Sequence, residues 1–421
     1  MKRPNRLLAV LAACLLLAGC AAGAPQPNSA PARSEPGAES STSQPAARPA
    51  GSGTLHMATA SSGIGSLAAA ENGFYTLETG ENGRCTLRFL DYGSNHQTCL
   101  CAVPGCGHDS DSCTAFVDTS SGPAPCLLFE GRRLYLIYPT SADGDIPARV
   151  EVMEPDGSGR RELARFDSGQ QPSLGQFAAD DTCLYFVAEQ TQPDGSLTRS
   201  LWAMDKADGS LRTLLEIPQG SSFWLLGAFD RSLLVKTIDD RNLHHLSRLD
   251  VDSPAAPQEL VSWKLSQQYG IVEGSCLYCY NYDRQCFTRQ DFATGSTDEL
   301  ANTAGLPFED LSNVCVIDGK VILQASLNGG GTSRVSNFCL DFETGRLAEL
   351  GLLDNMGRPV VICGASGEDV YVIDQYASWS AQETFGGMVS TVERSAPRYA
   401  RIAKADFFAG TPSYTPCESA A

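Results

Sequence analysis

No apolar run in this chain of 421 residues is long enough to cross a bilayer: the longest, Leu7 to Leu17, is followed at once by small residues, and a spanning helix needs about 20 apolar residues. Positive charge is scarce as well. The chain carries 31 Lys and Arg against 49 Asp and Glu, a net charge of −18, and such a surface repels nucleic acid and anionic lipid, which excludes a DNA or RNA partner. Signatures of catalysis are missing too: there is no Gly-x-Ser-x-Gly elbow, phosphate loop, dinucleotide fingerprint or His-Glu-x-x-His helix. Residues 21 to 53 contain no Val, Ile, Leu, Met or aromatic residue. They cannot build a core, and their Pro, Ser and Ala content predicts an extended, disordered tether.

The residues that are present at the N-terminus predict an address. Lys2, Arg3 and Arg6 precede the apolar run, which ends in Leu17-Ala18-Gly19-Cys20 and resembles a bacterial lipobox. The resemblance implies removal of residues 1–19 as a signal peptide and lipidation of Cys20, anchoring the chain to the extracytoplasmic face of a membrane. Loss of the three signal charges leaves 28 basic against 49 acidic side chains. Residues 20–53 then form the lipidated Cys and tether, and residues 54–421 one folded domain.

That domain is periodic. Leu90-Asp91, Met153-Glu154, Met204-Asp205, Leu249-Asp250, Gln290-Asp291, Leu340-Asp341 and Ala405-Asp406 each place an acid before a turn, roughly every 40 to 65 residues. A Leu follows nine residues after the acid in five units (Leu100, Leu163, Leu214, Leu300, Leu350), and Leu260 follows ten after in the fourth. Upstream lie β-rich runs such as Phe74-Tyr75 and Val370-Tyr371. Strand, turn and strand repeated seven times predict an all-β, seven-bladed β-propeller of four-stranded antiparallel blades, since one blade cannot bury its faces alone. The seventh unit lacks the Leu and carries Pro412 and Pro416, so its fourth strand reads as defective. Thr54 to Ala58 alternates as a strand does and is expected to complete that blade, with Leu55 and Met57 buried; a short C-terminal strand through Tyr414 is the rival.

Cys101-x4-Cys106-x-His108-x4-Cys113, bent by Pro104, Gly105 and Gly107, is the strongest local constellation. Three thiols and an imidazole suit a closed tetrahedral zinc shell, while an exported chain favours a disulfide within the same set. Both readings stay open at this point. With the signal, tether and repeat, the element resembles uncharacterised propeller-type lipoproteins of Gram-positive anaerobes, a family that implies the architecture and brings no activity with it. Topology puts the element on the face that carries the links between second and third strands. Four of these are long: 139–149, 189–199, 326–334 and 374–398. Tyr376, Trp379 and Phe385 in the last offer aromatic surface for a sugar ring or peptide.

The other cysteines look structural. Cys126, Cys315 and Cys363 fall on inner strands, where packing is the default, and Cys279 with Cys286 read as a cross-strand pair able to form a disulfide. His244-His245 lie in one strand and point to opposite faces, so they cannot share a metal. The chain therefore reads as a binding or protein-interaction module whose ligand is a protein, peptide or glycan. A propeller enzyme acting on carbohydrate or peptide substrates is the alternative, because catalytic carboxylates from separate blades leave no trace in spacing.

Overall fold

The computed structural model describes residues 53–58, 65–80, 84–108, 110–119, 122–141, 144–300, 306, 308–329, 332–385 and 388–419. The signal, Cys20 and the tether up to residue 52 lie outside them. Seven antiparallel sheets follow one another along the chain: Leu67–Ala70 to His96–Cys99, Cys126–Glu130 to Arg161–Arg165, Gln170–Ala179 to Leu211–Ile217, Ser222–Phe229 to Gln258–Lys264, Gln268–Glu273 to Thr297–Leu300, Phe308–Ile317 to Arg346–Glu349, and Val361–Ser366 to Thr415–Pro416. These are the seven four-stranded blades, numbered one to seven. A cluster of buried side chains lies between each consecutive pair, and the cluster of Leu67, Phe74 and Leu90 with Cys363, Tyr371 and Tyr399 joins blade seven to blade one. The core is thus a ring of seven interfaces, each buried only because a neighbour covers it.

The repeat motif has a physical explanation. In five units the acid is an aspartate whose Oδ1 accepts a backbone N–H two or three residues on, from Ser94, Ala207, Asp252, Ala293 and Glu343, fixing the turn between third and fourth strands. Leu100, Leu163, Leu214, Leu300 and Leu350 are buried in or just after the outer strands. The turn glycine of the next blade abuts that Leu: a Cβ on Gly209 (φ 74°) would collide with the Leu163 carbonyl, and one on Gly410 (φ 69°) with that of Leu350. Glycine is required there by both close approach and a left-handed backbone. The repeat records how blades abut.

Two expectations about the ends of the ring are overturned. The N-terminal strand His56–Met57 does not complete blade seven; it pairs with Ala179 and Ala178 on the inner edge of blade three. Leu55 is fully buried between blades three and four and Met57 half-buried beside it. The rival reading describes blade seven better, since its fourth strand is Thr415–Pro416, next to Tyr414, on Arg401 and Ala400. Pro416 is tolerated because this is an outer edge. Glu418–Ser419 then continues onto blade one, pairing in parallel with His96 and Gln97. The seventh unit also departs from a plain hairpin: Lys404–Ala409 is a short helix with Phe407 fully buried and Gly410 as its left-handed cap.

The predicted pairing of Cys279 with Cys286 does not occur. The register sets Cys279 opposite Thr288 and Cys286 opposite Asn281, and all fourteen described cysteines are free thiols. Cys126 and Cys363 are buried as expected, whereas Cys315 is only half-buried. His244 is buried beside Trp263 and His245 points outward to Glu259 at 2.8 Å.

Candidate metal centre

The outer strand of blade one, His96–Cys99, runs towards the face that carries the links between second and third strands. The Cys/His element begins there and leads through the two-residue strand Phe116–Val117, which pairs with Thr86 and Cys85 on the third strand, to the inner strand of blade two. Local hydrogen bonds shape it. The Cys101 N–H donates to the Cys99 carbonyl, Cys106 N–H to Val103, Cys113 N–H to Ser110 and Phe116 N–H to Cys113. Gly105 and His108 both adopt left-handed φ, at 70° and 57°, which non-glycine residues do infrequently. The Leu87 N–H bonds to the Ala115 carbonyl, and Arg160 reaches from blade two to the Phe116 carbonyl at 2.6 Å, so the element is tied to two blades.

These constraints bring Cys101 Sγ, Cys106 Sγ, His108 and Cys113 Sγ within 4.8 Å of one another. His108 Nδ1 stands 3.5 Å from Cys113 Sγ. Donors at about 2.0–2.3 Å from a tetrahedral centre sit roughly 3.5–3.8 Å apart, so His108 and Cys113 already have that spacing and every pair lies within about 1 Å of it. A disulfide demands about 2.05 Å between sulfurs. The donor set thus fits a closed Cys3His shell, in which every position is taken by protein and the metal organises the chain around it.

The thiols differ in acidity. Burial resists ionisation of Cys101, but the Val103 N–H, 3.4 Å away, together with the Thr114 hydroxyl at 3.6 Å and its N–H, outweighs it and draws the thiol down to about 6. Burial pushes Cys113 up to about 12, and hydrogen bonding with the Cys101 and Cys106 sulfurs adds to the rise. Cys99, the extra thiol, is also raised by burial and packs into the interface of blades one and two. Sequence reasoning missed Thr114, which accepts the Ala102 N–H while bonding Cys101. It missed Arg84 as well, which pairs with Asp111 and lies 4.4 Å over the Phe116 ring. Nothing in local spacing links Arg84 to a segment that far along the chain.

The aromatic expectations fare differently. The span from Asp374 to Arg398 is no loop: strands Asp369–Phe385 and Met388–Ala403 pair throughout as a long ribbon. The links 189–199 and 326–334 are likewise extended hairpins, while 139–149 is a true loop. Along the ribbon Tyr376 lies across from Pro397 and Trp379 across from Arg394. Their odd spacing puts them on opposite faces, so they do not form one surface. Tyr376 is held at the base by Arg358, 4.5 Å over its ring, and Asn355, which bonds its N–H and carbonyl. Trp379 is half-buried. Phe385 ends its strand, and its side chain lies outside the described residues.

No protein-family model and no curated protein matches the chain. Among solved structures it is similar to the β-propeller domain of the Trilobed protease from Pyrococcus furiosus, at 10% identity over 79% of this chain and 95% of that one, with a TM-score of 0.44. It is similar also to oligopeptidase B from Leishmania major (11%, 84% of this chain and 48% of that one, 0.47) and to TolB from Acinetobacter baumannii (11%, 81% and 76%, 0.37). At such identities and scores the likeness carries nothing about activity.

Proposed function

We propose that the chain is a lipid-anchored, extracytoplasmic propeller that binds a protein, peptide or glycan ligand through one face, with a zinc-loaded Cys/His element as a rigid knob on that face. The observation that carries the reading is the convergence of Cys101, Cys106, His108 and Cys113 on the face that also bears the extended hairpins. A saturated Cys3His shell leaves no position for substrate, so zinc here stiffens a surface and performs no chemistry. Exposed large apolar side chains gather in the links of the same face: Val103, Ile146, Leu197, Leu265, Leu353 and Met356. Water-exposed apolar groups grouped on one side are a mark of recognition surfaces. The N-terminal strand enters from the opposite face, where Gly53 meets Arg231.

The mature chain, purified without air, is expected to carry about one zinc per chain. His108→Ala should lower that content, and chelation should open residues 101–113 to protease. A metal-free wild type whose intact mass shows two hydrogens lost to a disulfide within the set overturns the zinc knob. The anchor is tested separately: Cys20→Ser is expected to release the domain from membranes, and unchanged membrane retention defeats that part of the reading.

A further inference from the structure

The ring encloses a cavity of about 790 Å³, lined by inner-strand residues of blades one to six, from Ala69 to Val316, and by the N-terminal strand. Its walls mix polar groups with apolar side chains, Phe129, Leu226 and Ile271 among them. Two carboxylates line it, Glu130 and Glu273. Glu130 accepts from Lys206 Nζ at 2.9 Å and lies 2.6 Å from His56 Nε2. Lys206 bonds the Asp180 carbonyl as well.

Lys236 stands apart. It lines the cavity, and its ammonium lies 4.6 Å over the ring of Trp224, a half-exposed residue on the neighbouring strand. Among the described residues no carboxylate is within ion-pair distance of it; burial alone lowers its pKa, with no charged group acting on it. A lining cation with no carboxylate in ion-pair reach, in a chain of net charge −18, beside apolar side chains of the same wall, has the features of an anion subsite in a ligand pocket.

We propose that this central cavity is a binding site for a small organic carboxylate, its charge on Lys236 and its ring or hydrocarbon body against Phe129, Leu226 and Ile271 of the wall. The volume falls within the range of small-molecule sites, about 300–1,000 Å³. The site is separate from the Cys/His element, so it stands or falls independently of the zinc knob.

Titration calorimetry of the mature chain with benzoate tests it. Saturable one-to-one binding is expected, with benzamide, the neutral isostere, bound at least about tenfold more weakly, because hydrogen bonds to charged groups are worth that much. Lys236→Met should bring benzoate down to the affinity of benzamide. The benzoate and benzamide comparison needs only the wild type, so it decides the matter even if the variant does not fold. Absence of saturable benzoate binding, equal affinity for the two probes, or an unchanged affinity in a folded Lys236→Met overturns the proposal. Inorganic phosphate binding as tightly as benzoate does so too, since it would mean a bare charge site with no place for an organic body.

Discussion

Arg231→Met is expected to lower the stability of the propeller by about 3 kcal/mol, read as a shift in the urea midpoint with an unchanged slope. Asp180 is wholly buried at the turn between the first two strands of blade three. Its carboxylate accepts the Tyr185 hydroxyl at 2.7 Å, the Thr182 and Cys183 N–H groups at 2.9 and 2.8 Å, and Arg231 of blade four at 2.8 Å. Arg231 also binds Asp252, at 2.6 Å, and the Gly53 carbonyl. Removing the guanidinium leaves a buried carboxylate without its cation, which is costly, though the partly exposed Arg231 keeps the figure at the lower end for such pairs. The pH dependence has a definite sign. Burial opposes the charge of Asp180, but the Tyr185 hydroxyl and Arg231 outweigh it and hold the carboxyl below its ordinary value. Its contribution is present in full above the ordinary carboxylate range and is lost as pH falls through the folded value. The gap between wild type and Arg231→Met should therefore be widest near neutrality and close in acid; a gap that widens below pH 4 contradicts this account.

Leu55→Ala is expected to cost about 2–5 kcal/mol, the range for emptying a fully buried Leu site. Leu55 is 1% exposed and packs with Leu225 and Leu233 of blade four and Tyr185 of blade three. The strand around it is fixed by Leu55 N–H to the Asp230 carbonyl at 3.1 Å and Ala58 N–H to that of Phe177 at 2.8 Å. A chain shortened to begin at Gly63 should accordingly unfold at a lower urea concentration than one beginning at Ala50. Equal midpoints for the two would show that the N-terminal strand adds nothing to the ring. The loss would be local to blades three and four, so hydrogen exchange should rise there and stay unchanged at the closure between blades seven and one.

Closure itself rests on other residues. Phe74 packs edge-on to Tyr399 at 5.2 Å, Tyr92 lies 4.3 Å from the Tyr371 ring, and the Tyr371 hydroxyl donates to the Tyr92 carbonyl at 3.0 Å. The C-terminal pairing of Glu418–Ser419 with blade one adds a short exposed strap across the same joint. Both chain ends thus contribute to the ring, but at different blades.

The sequence by itself determined the architecture of this protein and the position of its metal-binding candidate. Acid, turn and a Leu nine residues later recur because each blade meets the next in the same way, and a local repeat can report a local packing rule. Four donors within thirteen residues are likewise constrained by the chain to stay near one another, so Cys101, Cys106, His108 and Cys113 were legible before the structure. The tertiary structure alone decided where the ends go. The segment from Leu55 to Met57 looks the same in alternation whether it borders blade three or blade seven, and only the gap it fills between Ala178 and Leu225 distinguishes them. The same holds for Cys279 and Cys286, whose pairing depends on register, and for Tyr376 and Trp379, which a regular ribbon sends to opposite sides. The buried Asp180–Arg231 pair joins consecutive blades across 51 residues, and the central cavity with Lys236 draws on blades one to six. Contacts of that kind arise when blades pack on one another, and no spacing along one strand encodes them.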